Sequence, residues 1–147
     1  MNNFDGQYLS VLVIEDNRDF AATLCMMFDV LGHQAVAAYN GIDGIVKAKE
    51  ICPNIIFCDI GLPEMNGYLV AEEVRKIEDL KDVYLIALSG YAQPKDIVLS
   101  QNFGFNCHVA KPVDMSTMEQ VLKEYCKKTP SVSSPSGMKF ICCSHRE

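Results

Sequence analysis

Short apolar runs alternate with longer amphipathic stretches along this chain, and this alternation limits its possible folds more than any other feature. The longer stretches repeat apolar residues with the 3.6-residue period of an α-helix. From Arg18 to Leu31, for example, Phe20, Leu24 and Phe28 fall on one helical face. The short runs have the composition of strands, and they are Leu9 to Ile14, Gln34 to Ala38, Asn54 to Cys58, Val83 to Leu88 and Asn106 to Val109.

Five strands alternating with five helices predict an α/β fold. Such strands are joined by right-handed crossovers, which produce a parallel sheet covered by helices on both faces. Three of the runs are almost continuously apolar, as is typical of strands buried on both sides. We therefore predict a doubly wound five-stranded parallel sheet.

The 147 residues fit a single folded domain. We place this domain at residues 9–128, after an N-terminal extension at residues 1–8. Residues 129–147 begin with TPSVSSPSG, which has no periodicity and is typical of a flexible Ser/Pro-rich tail. No apolar stretch approaches the roughly 18 residues of a membrane span, and the N-terminus does not resemble a signal peptide.

Charge and cysteine content narrow the class of protein further. A net charge of -6 argues against direct binding to a nucleic-acid backbone, which requires a concentrated basic surface. The chain has seven cysteines but no CxxC pair. Cysteines that stand singly in apolar surroundings are typical of reduced, buried residues, so we expect a cytoplasmic protein without structural zinc or disulfides.

Polar residues that could bind a ligand or take part in a reaction follow four of the five predicted strands. Ligands of open α/β sheets bind beyond the carboxyl ends of the strands, so these residues are expected to meet. They are Glu15 and Asp16 after the first run, Asp59 after the third, Ser89 and Gly90 after the fourth, and Lys111 and Pro112 after the fifth.

Three neighbouring carboxylates repel one another unless a cation or protons intervene. Mg²⁺ suits such oxygen ligands, and a carboxylate can attack phosphorus to form an aspartyl phosphate. Lys111 could neutralise the phosphoryl oxygens and Ser89 could donate a hydrogen bond to them. Taken singly, Glu15 and Asp16 could be helix caps and Asp59 a turn former. Their coincidence with Ser89 and Lys111 at strand ends favours phosphoryl transfer.

The stretches VLVIEDN, DIGLPEMNG, ALSGYA and HVAKPVD resemble the response-regulator receiver family, in order and at strand ends. The resemblance covers about Leu9 to Lys127. It implies a flavodoxin-like strand order of 2-1-3-4-5 and a phosphoacceptor role in a two-component phosphorelay. The phosphoryl donor would be a histidine kinase or a histidine phosphotransfer protein. The sequence of these stretches is similar to that of receivers in hybrid sensor kinases. The output would change the surface formed by the fourth helix, the fifth strand and the fifth helix.

The same resemblance implies a role for each residue. Asp59 would accept the phosphoryl group, and Ser89, Gly90 and Lys111 would surround it. A cis peptide bond before Pro112 would aim the lysine. Independently of the resemblance, Pro63 would fix φ in the turn after Asp59, and Gly67 would permit close backbone packing at the start of the third helix. Mg²⁺, or Mn²⁺ in its place, would be held by Glu15, Asp16, Asp59 and the backbone carbonyl of Gly61.

Two residues depart from the family pattern. Glu15 stands where aspartate is commoner, and its longer side chain could reach the metal directly or through water. His108 occupies the switch position three residues before Lys111, where tyrosine or phenylalanine is usual. His108 is either a satisfied structural residue or a pH-sensitive switch that swings inward when Ser89 moves.

Other functions fit the sequence less well. A pseudo-receiver that binds partners without phosphorylation is the main alternative. A dehalogenase-like phosphatase would show DxDxT, but Gly61 stands at the second aspartate position. The GxxxxGK[ST] loop of nucleotidases is absent, and the acidic EDN after the first strand does not suit the phosphate loop of a flavin carrier. We therefore predict a switch that catalyses at most its own phosphorylation and dephosphorylation.

Overall fold

A twisted sheet with helices on both faces organises this protein, seen in a computed structural model that describes residues 8–90, 93–127 and 140–142. Its strands lie in the order β2-β1-β3-β4-β5-β6, and the first five are parallel. A short 3₁₀ turn covers Glu78–Leu80. The other elements are β1 (Ser10–Ile14), α1 (Arg18–Val30), β2 (Gln34–Ala38), α2 (Gly41–Ile51), β3 (Ile55–Asp59), α3 (Gly67–Lys76), β4 (Tyr84–Ser89), α4 (Pro94–Asn102), β5 (Cys107–Ala110), α5 (Met115–Lys127) and β6 (Phe140–Cys142).

The sheet separates two hydrophobic cores, because side chains alternate between the faces of a strand. Val11 and Val13 of β1 pack into the core shared with α1 and α5. Leu12 and Ile14 pack into the opposite core, which is shared with α2 and α3. Both faces of the central strands are therefore buried, which explains their continuous apolar sequence.

Asparagine caps start the three helices α1, α2 and α3. The side chains of Asn17, Asn40 and Asn66 each accept a hydrogen bond from a backbone N–H in the first helical turn, at 2.8–3.1 Å. A cap of this kind satisfies a donor that the helix itself cannot pair. The caps fix where the chain turns after β1, β2 and β3, at the carboxyl edge of the sheet.

The predicted fold class and the order 2-1-3-4-5 are confirmed, but several details differ. A sixth strand, β6, pairs antiparallel with β5, although residues 129–147 were expected to form a flexible tail. Its three residues supply backbone hydrogen-bond partners to a sheet edge that β5 would otherwise leave open. Apolar periodicity could not indicate so short a strand. The rest of that tail and residues 1–7 lie outside the described residues. The third, fourth and fifth strands also each end one residue later than expected, so Asp59 belongs to β3 and Ser89 to β4.

None of the helices described here is long and apolar enough to cross a membrane.

Candidate phosphoacceptor site

The register of the sheet brings the acidic residues together. Ile14 of β1 is paired with Cys58 of β3, so the residues that follow them, Glu15 just beyond β1 and Asp59 at the end of β3, are neighbours. Asp16 follows directly. One carboxylate oxygen from each of Glu15, Asp16 and Asp59 lies within 4.8 Å of the others. The structure thus assembles all three predicted carboxylates at one point on the carboxyl edge.

Burial makes this cluster chemically unusual. Glu15 is 1% exposed and Asp59 is 6% exposed, whereas Asp16 is open to solvent. Two buried carboxylates at such short range are costly without positive charge. The three side chains offer only oxygen ligands, the set that Mg²⁺ prefers, and the exposed Asp16 leaves a route for the ion. The residues present therefore fit a magnesium site.

Lys111 supplies the positive charge within the protein. Its Nζ lies 3.1 Å from Oε1 of Glu15 and 3.3 Å from Oδ2 of Asp59. The same nitrogen lies 5.2 Å from the ring centre of Phe20, which gives it a cation–π contact. The peptide bond between Lys111 and Pro112 is cis, as the resemblance implied. Lys111 therefore reaches back across the sheet edge to both buried carboxylates.

The ion pairs and burial shift the protonation of these groups. Burial raises the pKa of Glu15, and the nearby charge of Asp59 adds to it. A hydrogen bond from the backbone of Asn17 and the ammonium of Lys111 oppose that rise without cancelling it. Burial would lower the pKa of Lys111, but the hydrogen bond to Glu15 and the charge of Asp59 outweigh it and raise that pKa. Lys111 is thus held as a cation.

Backbone contacts fix the orientation of Asp59. The N–H of Gly61 donates a hydrogen bond to Asp59 Oδ1 at 2.9 Å. Gly67 begins α3 against the same strand end, and a Cβ at this position would lie 2.6 Å from the carbonyl oxygen of Asp59. The turn between them is tight, because Met65 N–H donates to the carbonyl of Pro63 at 2.6 Å. Gly67 therefore permits the close approach that holds Asp59 beneath α3.

Ser89 and His108 form a second part of the site. Ser89 is the last residue of β4, and its hydroxyl oxygen lies 2.8 Å from Nε2 of His108. His108 is 1% exposed, so its side chain already points into the protein interior and not toward solvent. The backbone N–H of Lys111 donates to the carbonyl of Ser89 at 2.8 Å, which ties this pair to the lysine. Gly90 is exposed, and a Cβ there would meet none of the described atoms within 4 Å.

Three contributors were missed by sequence reasoning. The backbone of Asn17 donates to Glu15 Oε2 at 3.0 Å, and Phe20 lies beneath the ammonium of Lys111. Asn17 could have been found from its capping position, and Phe20 from its place in the apolar stripe of α1. The third is Ser100, which binds the ring of His108 at 3.1 Å. No sequence signal links a serine in α4 to a histidine in β5, because their contact depends on tertiary packing.

Comparisons with known proteins find similar chains among response regulators. The family model described as the response regulator receiver domain matches residues 11–123. The polar-differentiation response regulator DivK of Brucella anthropi is 25% identical over 116 residues, covering 79% of this chain and 94% of that protein.

Solved structures that are similar to this chain also include proteins of two-component signalling. The receiver domain of the sensor histidine kinase PA1611 from Pseudomonas aeruginosa, with a magnesium ion coordinated in its active site cleft, has a TM-score of 0.75 at 26% identity. The match covers 82% of this chain and 99% of that chain. The chemotaxis protein CheY4 of Vibrio cholerae shares the fold with a TM-score of 0.78 at 19% identity, over 81% of this chain and 99% of that chain.

Proposed function

The chain belongs to the response regulator receiver family, and from this premise we propose that it accepts a phosphoryl group on Asp59. Receiver domains are signalling switches of two-component systems rather than enzymes with external substrates. The observation that carries the proposal is the position of Asp59. Its carboxylate is nearly buried, lies beside Glu15 and Asp16, and is paired with Lys111 at 3.3 Å.

The transfer would use the residues as follows. An oxygen of Asp59 forms a bond to phosphorus while the bond from phosphorus to the donor's histidine nitrogen breaks. Lys111 moves its positive charge from the carboxylates to the incoming phosphoryl oxygens. Gly61 keeps the other Asp59 oxygen oriented through its N–H. Phosphoryl transfer of this kind depends mainly on positioning and charge neutralisation, which these groups supply.

Mg²⁺, or Mn²⁺ in its place, would be held by Glu15, Asp16, Asp59 and the carbonyl of Gly61. When bound, the ion neutralises the charge that develops on the phosphoryl oxygens. Glu15 would contact the ion directly or through water, and its position beside Asp16 and Asp59 supports this role in spite of its departure from the commoner aspartate. Its Oε1 already faces a cation, the ammonium of Lys111, at 3.1 Å.

Phosphorylation would then change the surface formed by α4, β5 and α5. A phosphoryl group adds about two negative charges at the sheet edge. Ser89 can turn its hydroxyl to that charge, and it is bonded to His108 of β5. The donor would be a histidine kinase or a histidine phosphotransfer protein, as the similarity to the PA1611 receiver supports. A cytoplasmic location and the absence of direct nucleic-acid binding stay predictions.

The test is phosphorylation by acetyl phosphate, with and without Mg²⁺, followed by the intact mass. We expect a Mg²⁺-dependent gain of one phosphoryl group that is abolished in Asp59→Asn. Asp19→Asn is the matched control, since Asp19 is an exposed acid in the first turn of α1. A protein that folds normally but never gains mass would instead be a pseudo-receiver, and binding to partners would then be independent of phosphate.

A further inference from the structure

A chain of hydrogen bonds runs from the candidate site into α4. His108 uses both ring nitrogens: Nε2 lies 2.8 Å from the hydroxyl of Ser89, and Nδ1 lies 3.1 Å from the hydroxyl of Ser100. Ser100 in turn donates to the carbonyl of Ile97 at 3.0 Å. These four residues connect the end of β4 and the interior of β5 to the C-terminal half of α4, and we call them the His108 latch.

The donor and the acceptor of each hydrogen bond can be assigned by counting the hydrogens that each side chain carries. A serine hydroxyl has a single hydrogen, and that of Ser100 is committed to Ile97. With this hydrogen assigned to Ile97, Ser100 accepts from Nδ1–H of His108. A neutral imidazole with its proton on Nδ1 carries a lone pair on Nε2, so Ser89 donates its hydrogen to Nε2. The hydroxyl that a phosphoryl group would require is thus already engaged.

The latch matters because few residues of α4 are buried against the rest of the protein. Within α4, all of which the structure describes, Ser100 is the only buried residue. Val98 is 54% exposed and Leu99 is 41% exposed, and Ile97 is only partly buried. A helix with few buried apolar contacts belongs to the less stable parts of a fold. The bond to His108 is thus a polar attachment at the one buried residue of α4.

We propose that Ser100 is a positioning residue that, through His108, holds Ser89 and α4 in the unphosphorylated arrangement. This inference rests on the proposed function. When Ser89 donates to a phosphoryl oxygen, its hydrogen bond to Nε2 of His108 is broken. The ring then reorients and withdraws Nδ1–H from Ser100. The helix α4 is then released from its attachment, which couples Asp59 to the output surface.

The first measurement is the protonation pattern of His108, read from the ¹⁵N shifts of its ring in the unphosphorylated protein. We expect the proton on Nδ1 in the wild-type chain and loss of this preference in Ser100→Ala. Ser100→Thr keeps a hydroxyl and should restore the pattern. A proton on Nε2 in the wild-type protein would overturn the latch, whatever the outcome of phosphorylation.

The second measurement is the ratio of phosphorylated to unphosphorylated protein at subsaturating acetyl phosphate with Mg²⁺. Ser100→Ala should raise this ratio roughly two- to tenfold, because one hydrogen bond that favours the unphosphorylated arrangement is lost. Ser116→Ala, an exposed serine in the first turn of α5, should leave it unchanged.

Amide hydrogen exchange should show α4 less protected in Ser100→Ala, as in the phosphorylated wild-type protein. A folded Ser100→Ala variant with the wild-type ratio and wild-type protection of α4 would refute the latch. If neither protein is phosphorylated, the proposed function fails, and the ring shifts of His108 still decide whether the hydrogen-bond chain exists.

Discussion

The ammonium of Lys111 lies 3.1 Å from Oε1 of the almost fully buried Glu15. Glu15 is the residue that departs from the commoner aspartate, and its extra methylene group brings its carboxylate to the lysine. Lys111 is thereby shared between Glu15 and Asp59, and this sharing leads to the first prediction.

Lys111→Met should lower the free energy of unfolding by about 2 kcal/mol in the absence of divalent ions. Removing one member of a buried pair leaves uncompensated charge, and the value is reduced here because the lysine side chain is 28% exposed. Mg²⁺ should stabilise this variant more than the wild type, since it replaces the lost cation. Urea unfolding with and without Mg²⁺ measures both effects. Lys123→Met, at an exposed position of α5, is the control, and equal behaviour of the two variants would contradict the prediction.

Gly67→Ala should destabilise the protein by about 1–3 kcal/mol, as overpacking typically does. The added Cβ would lie 2.6 Å from the carbonyl oxygen of Asp59 and 2.7 Å from Cα of Ile60, so α3 must move away from β3. Phosphorylation by acetyl phosphate should slow as well, because the same backbone carries Asp59. Gly90→Ala is the matched control, since its Cβ meets none of the described atoms within 4 Å. Thermal unfolding of both variants tests the difference, and similar losses would count against a packing role for Gly67.

Asp16→Asn should weaken Mg²⁺ binding at least about tenfold, or about 1.4 kcal/mol. Asp16 is the exposed member of the carboxylate cluster, so its loss should hardly alter the fold itself. Wild-type protein should gain about 2.7 kcal/mol of stability when free Mg²⁺ is 100 times its dissociation constant. Asp19→Asn removes a nearby exposed charge and should retain the wild-type response. A Mg²⁺ titration followed by thermal shift compares them, and an unchanged response in Asp16→Asn would remove this residue from the site.

His33 should make stability depend on pH on the acid side of neutrality. Burial holds the pKa of His33 below its ordinary value of 6.5, and its Nδ1 accepts a hydrogen bond from Leu9 N–H. The unfolded chain therefore binds a proton before the folded chain does, and stability falls as the pH drops through 6.5 toward the folded pKa. His33→Asn keeps an acceptor but does not titrate, so its unfolding free energy should fall less between pH 7.5 and 5.5. Parallel curves for the two proteins would show that His33 does not contribute.

Most of the sheet and much of the candidate site could be predicted because their signals are local. Continuous apolar runs indicated the central strands, and polar residues at their ends indicated where Asp59 and Lys111 would meet. The reach of Lys111 to both Glu15 and Asp59 required the actual geometry. The contact between His108 and Ser100 joins a strand to a helix whose exposed apolar residues give almost no periodic signal. Such contacts arise from tertiary packing and cannot be predicted from sequence patterns.

The antiparallel pairing of Phe140–Cys142 with β5 has a consequence for solubility. An uncovered outermost strand presents a row of backbone groups to which another chain can add, a common start of aggregation. Here three residues from the end of the same chain occupy that row along Cys107, His108 and Val109. Removing residues 128–147 would expose the row, so the shortened chain should self-associate at concentrations where the full chain stays monodisperse.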